Sequence, residues 1–172
     1  PVMISKHGAS LIDAGAQAVL REKLLPRAAL VTPNLPEAEA LSGVEILDIK
    51  SARQAGERIL ALGPRAVLVK GGHFSGTDAT DLLVTASGTR TYTAQRVDTR
   101  HTHGTGCTYS AAITAGLANG LELGEAVAQA KLFVTAAILT NPGLGSGCGP
   151  VNHHAGIDTN RGSSTIAKHR SD

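Results

Sequence analysis

The stretch SARQAGERILALGPRAVLVKGG, residues 51–72, reads as a helix, a turn and a buried strand in succession. Ala55, Ile59 and Leu62 recur at helical spacing behind Ser51, a residue suited to capping, and Gly63-Pro64 ends the segment. Ala66-Val67-Leu68-Val69-Lys70 is a short apolar run closed by Gly71-Gly72, which suits a strand buried on both faces. The alternation continues upstream. Val2-Met3-Ile4 reads as the end of a buried strand, and Ser10 to Leu25 as a helix stopped by Pro26. Ala28 to Thr32 is a second buried strand, ended by Pro33. Leu35 to Leu41 is a short helix, with Asn34 as its cap, Pro36 in its first turn, Glu37 three residues after the cap and Gly43 as its stop. Downstream, Leu82–Val84 and Thr89–Ala94 flank Ser87-Gly88 as a hairpin, and helices are predicted over 106–120 and 124–140. The second carries Ala126, Ala130, Val134, Ala137 and Ile138 on one stripe. Helices alternating with short apolar strands define an α/β layered domain with a mainly parallel sheet.

Composition narrows the function. The chain has 172 residues, 42% of them hydrophobic and 17% charged, enough for one domain with a core of Ala, Val, Leu and Ile. Two Tyr, two Phe and no Trp leave no stacking platform for single-stranded nucleic acid, and a net charge of +2 is too small for a phosphate-backbone binder. Two Cys, at 107 and 148, make no disulfide framework and point to a reducing, cytoplasmic setting. No apolar run approaches the roughly 20 residues of a membrane span. Residues from Asn152 on are polar and aperiodic, and 155–172 is expected to be a flexible tail.

Chemistry concentrates at three places. In His101-Thr-His-Gly104-Thr105-Gly106-Cys107-Thr108 the glycines let amides turn inward ahead of an apolar helix. The helix end adds free N–H donors and a positive dipole, suited to a phosphate or a transferring phosphoryl group. Cys107 there is placed to take a proton from an attacking hydroxyl or hold it in line. The same residues also read as an ordinary glycine turn with a buried Cys, and His101, His103 and Cys107 as a zinc set whose spacing is not that of a structural site. At Thr32-Pro-Asn34-Leu-Pro-Glu37 an amide and a carboxylate sit at a strand end, where they could share a hydrated magnesium ion or form a capping box. Lys70-Gly71-Gly72-His73 ends another strand; its ammonium could meet phosphate oxygens or simply reach solvent, with the glycines leaving room for a phosphate. Residues 143–149 are glycine-rich but precede Pro150 instead of opening a helix, which excludes a dinucleotide loop.

Taken in order, Thr-Pro-Asn-Leu-Pro-Glu, Val-Lys-Gly-Gly-His and Thr-His-Gly-Thr-Gly-Cys-Thr resemble the ribokinase-like superfamily, and within it the hydroxymethylpyrimidine/phosphomethylpyrimidine kinases of thiamine biosynthesis. The resemblance covers residues 1–154, including Gly149-Pro150-Val151-Asn152-His153. It implies a three-layer α/β sandwich with a mainly parallel central sheet, of which the N-terminal part is missing, and ATP-dependent phosphorylation of 4-amino-5-hydroxymethyl-2-methylpyrimidine and its monophosphate. It implies an anion hole at Gly104, Thr105, Gly106 and Cys107, with Cys107 as the counterpart of the catalytic base and beside the substrate. Lys70 would contact ATP phosphates, Asn34 and Glu37 would organise magnesium and phosphate, and Val2 would line the pyrimidine pocket. Partners would be ATP, the small pyrimidine and a second copy in a homodimer. A pyridoxal kinase of the same group and an inactive kinase fragment are the alternatives.

Overall fold

The computed structural model describes residues 1–3, 11–71 and 77–156. They fall into two compact units, one holding residues 1–91 and one beginning at Tyr92.

In the first unit, α1 (Ala14–Val19) is capped by the Asp13 carboxylate, which accepts from the Ala16 amide. The helix then widens over Leu20–Leu24 and tightens into a 3₁₀ turn over Leu25–Arg27. Pro26 therefore lies within the last turn instead of beyond the helix; near the start of the 3₁₀ turn its missing N–H costs no bond. Helix α2 (Leu35–Ser42) follows the predicted pattern: a reciprocal capping box joins Asn34 and Glu37, and Gly43 ends it in the left-handed conformation. Helix α3 (Ile49–Leu60) starts earlier than Ser51 suggests. Asp48 is the cap, and Ser51 is the return arm of the box, its hydroxyl accepting from the Asp48 amide at 2.9 Å. Ala52, Ala55, Gly56 and Ile59 form the buried face. A Cβ on Gly56 would come within 2.8 Å of Val84 Cγ2, so the helix lies close on the sheet because this position has no side chain.

The Asp48 carboxyl is held below its ordinary 3.8 mainly by the Ser51 amide and then by the Ser51 hydroxyl. A carboxyl depressed in the folded state contributes stability above its unfolded value and loses it as pH falls through the lowered one. The gap in melting temperature between the native chain and Asp48→Ala is expected to be full at neutral pH and to narrow as pH falls below 3.8 and through the lowered value.

Strand β1 (Ala66–Val69) is wholly buried, and burying each Val or Leu side chain is worth about 1.5–3 kcal/mol. The hairpin is as predicted, β2 (Asp78–Thr85) and β3 (Gly88–Gln95), giving a sheet in the order β1-β2-β3. The sheet of named strands is not parallel: β1 and β2 run antiparallel, Ala66 opposite Thr85. An isolated parallel bridge from His103 to Pro150 lies in the second unit; among the described residues of the first unit, parallel pairing is limited to isolated bridges from Val31 to Val67 and from Asn34 to Lys70. Pro33 lies between them without an amide to donate, so the ladder cannot run on as a regular strand. Only Val31 of the 28–32 run is buried, against the expectation of burial on both faces. Met3 joins the core at 1% exposure, whereas Val2 is 63% exposed. Ile4 and the start of the predicted first helix lie outside the described residues.

In the second unit, α4 (Thr105–Ala118) pairs with α5 (Leu123–Leu139). Gly116 permits the approach, since a Cβ there would sit 3.1 Å from Ala126 Cβ. Ala126, Ala130, Val134 and Ala137 are buried as the stripe predicts, Ile138 is half-buried, and Lys131 is buried as well, which the stripe did not predict. Tyr92, the buried residue of β3, donates its hydroxyl to the Gly124 carbonyl at 3.1 Å. Among the described residues no helix is long and apolar enough to cross a membrane. Most of the predicted tail, residues 157–172, lies outside the description.

Candidate functional site

In the first unit two of the motifs are neighbours. The Lys70 amide donates to the Pro33 carbonyl at 2.9 Å, and Asn34 bridges Lys70 in parallel register. Both motifs thus sit at one edge, where the chain leaves the sheet. Lys70 is half-buried. Its successor Gly71 is buried and donates its amide to Asp81 Oδ1 at 3.0 Å. Asp81, only 2% exposed, is a residue that motif reading missed; its one signal is an acid opening the apolar run Leu82-Leu83-Val84. Gly72 and His73 lie outside the described residues.

Asn34 and Glu37 form the capping box. Asn34 Oδ1 accepts the Glu37 amide at 2.8 Å and Glu37 Oε2 accepts the Asn34 amide at 2.9 Å. The other oxygen, Oε1, accepts the Met3 amide at 3.1 Å, and Glu37 is 3% exposed. Both carboxylate oxygens are thereby committed to main-chain donors out of reach of solvent. The pair does not fit direct coordination of a metal ion, which needs oxygens facing it. Among the described residues no group of three His, Cys, Asp or Glu side chains could hold one, His101, His103 and Cys107 included.

In the second unit the glycine turn opens α4. Gly104 is the N-cap, with φ +85 in the left-handed region that favours glycine. No side chain caps the helix; its first bond runs from the Thr108 amide to the Gly104 carbonyl at 2.8 Å. The Gly106 and Cys107 amides belong to the first turn, whose N–H groups have no intrahelical acceptor. The Thr105 hydroxyl and amide both turn back to the Thr102 carbonyl, at 2.8 and 3.4 Å. Cys107 is exposed and free, not buried as the plain-turn reading required. The head of the helix therefore carries the first-turn amides of Gly106 and Cys107 with an exposed thiol beside them.

The turn is braced from behind. His103 donates its amide to the Gly149 carbonyl at 3.0 Å, and the Val151 amide returns to the His103 carbonyl at 3.2 Å. A Cβ at Gly149 would collide with the His101 ring and the Leu144 carbonyl, so the glycine-rich segment serves close packing. His153 Nε2 lies 3.0 Å from Thr108 Oγ1, one residue past Cys107. The motif Gly149–His153 is thus attached to the start of α4, a contact across 45 residues that no local pattern announces.

The structural likenesses of this α/β chain are to kinases of small molecules. A pyridoxal kinase from Staphylococcus aureus, solved in complex with ADP, superposes with a TM-score of 0.84 at 37% identity, over 90% of this chain and 57% of that one. A phosphomethylpyrimidine kinase from Clostridium difficile superposes with a TM-score of 0.68 at 43% identity, over 80% of this chain and 55% of that one. The chain belongs to the phosphomethylpyrimidine kinase family, whose model matches residues 1–152. It is 48% identical over 157 residues to a hydroxymethylpyrimidine/phosphomethylpyrimidine kinase of S. aureus, covering 90% of this chain and 57% of that protein. It is 50% identical over 153 residues to a thiamine biosynthesis bifunctional protein of Geobacter sulfurreducens, covering 89% of this chain and 31% of that protein. The chain spans about half the length, or less, of these curated relatives.

Proposed function

We propose that this chain carries the phosphate-binding side of an ATP-dependent kinase that phosphorylates 4-amino-5-hydroxymethyl-2-methylpyrimidine and then its monophosphate in thiamine biosynthesis. Its frame is a ribokinase-like three-layer fold with a mainly parallel central sheet, working in the cytoplasm as a homodimer. The supporting observation is the head of α4: an uncapped left-handed glycine followed by first-turn amides and an exposed thiol.

In this reading the substrate hydroxyl, or a monophosphate oxygen, attacks the γ-phosphorus of ATP. The new O–P bond forms as the bond from phosphorus to the leaving ADP oxygen breaks. Amides of Gly104 to Cys107 stabilise the charge on the equatorial oxygens; one such preorganised donor is worth about 3 kcal/mol. Where a hydroxyl attacks, Cys107 sulfur positions it and receives its proton. Lys70 meets ATP phosphate oxygens as a point charge. Asn34 and Glu37 shape the strand end through their capping box, and magnesium would come with the nucleotide phosphates, whose charge it would neutralise. Val2, exposed beside Met3, lines the pyrimidine.

Turnover with ATP is the test. Hydroxymethylpyrimidine and its monophosphate are expected as substrates, and Lys70→Ala is expected to raise KM for ATP about 10-fold with pyrimidine KM nearly unchanged. Equal loss for both substrates would remove Lys70 from phosphate binding. The pyridoxal kinase structures superposing at TM-scores of 0.80 and 0.84 support a second reading, in which pyridoxal is the acceptor. Preference for pyridoxal in the same assay would establish it.

A further inference from the structure

We propose that Glu37 is a positioning residue for the Val2–Met3 segment, and not an organiser of metal. The inference rests on the reading above that this segment lines the acceptor pocket.

Four observations within the first unit carry it. Glu37 Oε1 accepts the Met3 amide at 3.1 Å across 34 residues of chain, while Oε2 accepts the Asn34 amide at 2.9 Å. The carboxylate thus ties the start of the chain to the strand end that also holds Lys70. Met3 is fixed on its other side as well, its carbonyl accepting the Leu11 amide at 2.8 Å, and its side chain is sunk in the core with Leu35 and Leu41. Val2, immediately before it, has φ +54, a left-handed conformation that a β-branched residue adopts only when its surroundings impose it. Val2 is also 63% exposed. Met3 is the anchored neighbour, and among the described residues the side chain that grips its main chain is Glu37. A capping box needs only Oε2; the bond from Met3 is the excess that local helix chemistry does not explain.

A carboxylate is suited to this task because both oxygens only accept. Glutamine has the same reach but presents one N–H₂, which would face an amide donor. Glu37→Gln therefore keeps one bond and turns the other into a repulsion.

The test reads main-chain exchange and ligand binding together, on the native protein and on Glu37→Gln. In Glu37→Gln, exchange of the Met3 amide is expected to accelerate roughly 10-fold or more, with the Ala55 and Ile59 amides of α3 unchanged. The Kd for hydroxymethylpyrimidine is expected to rise by about 10-fold, with half-saturation by Mg²⁺ in the ATP reaction unchanged. In the native protein, millimolar Mg²⁺ is expected to leave Met3 exchange unaltered. Unchanged Met3 exchange in the variant overturns the proposal. So does a shifted Mg²⁺ requirement with unchanged pyrimidine binding, or a native Met3 amide that responds to Mg²⁺ alone. The last measurement needs no variant and decides even if Glu37→Gln does not fold. If native protein binds pyridoxal or no acceptor at all, the acceptor reading fails by that result, while Met3 exchange still decides whether Glu37 is the clamp.

Discussion

Cys107→Ala is expected to lower kcat for hydroxymethylpyrimidine phosphorylation by about 10²- to 10⁴-fold, the range of a lost general base. KM for ATP is expected to stay close to its native value, because the donors of the turn are main-chain amides that the substitution leaves in place. The fold gives this experiment a clean background. Cys107 is exposed, in contrast to its neighbours Thr108 and Tyr109, which are buried in α4. Its removal therefore opens no cavity, and alanine is a better helix former than cysteine. The melting temperature should hold or rise slightly. Cys107→Ser, which keeps a poorer proton acceptor at the same place, is expected to fall between the two. Steady-state kinetics with a thermal melt on each variant checks the set. Native kcat in Cys107→Ala would show that the sulfur neither positions nor deprotonates the nucleophile.

Much of this arrangement could be read from the sequence where the determining contacts are local. The capping box of α2 needs only residues three apart, and both its members carry the side chains the box requires. Gly43, the Gly88 hairpin and the glycine turn before α4 are likewise set by single backbone conformations that glycine alone adopts freely. Where two residues could play one local part, the sequence underdetermined the outcome: Asp48 and Ser51 are both good caps, and their reciprocal bonds decide that Asp48 is the N-cap. What stayed hidden is non-local. Met3 to Glu37 spans 34 residues and Thr108 to His153 spans 45, and neither leaves a periodic trace. The sheet misled for a related reason. Apolar runs look alike whether the neighbour is parallel or antiparallel. Here β1 takes its antiparallel partner from the hairpin that follows and its parallel one from a segment interrupted by Pro33. The family pattern pointed to strand ends and helix starts, where backbone geometry demands particular residues; it could not say that Glu37 also reaches Met3.

Gly104→Val tests the main-chain donors directly. At φ +85 a side chain costs about 1–2 kcal/mol, and more when it is β-branched. The turn has little freedom to escape the strain. On one side His103 is bonded to Gly149 and Val151; on the other the Gly104 carbonyl holds the first bond of α4. The strain must then be taken up by rotation of the amides that follow, the groups assigned to the transferring phosphoryl. Misaligned donors of this kind lower kcat by about 10²- to 10³-fold. Strain by itself is controlled by Gly143→Val. Gly143 has φ +65, so the backbone penalty is similar, but it lies exposed in the loop with open space around it. Both variants are expected to lose comparable melting temperature, and only Gly104→Val to lose turnover. If the two lose activity in parallel with stability, the head of α4 is an ordinary helix start and the amides do no chemistry. If Gly104→Val alone is inactive, while still folded and still binding the pyrimidine, the loss belongs to the step in which phosphorus changes partners, because that step is where the charge on the equatorial oxygens needs those amides in place.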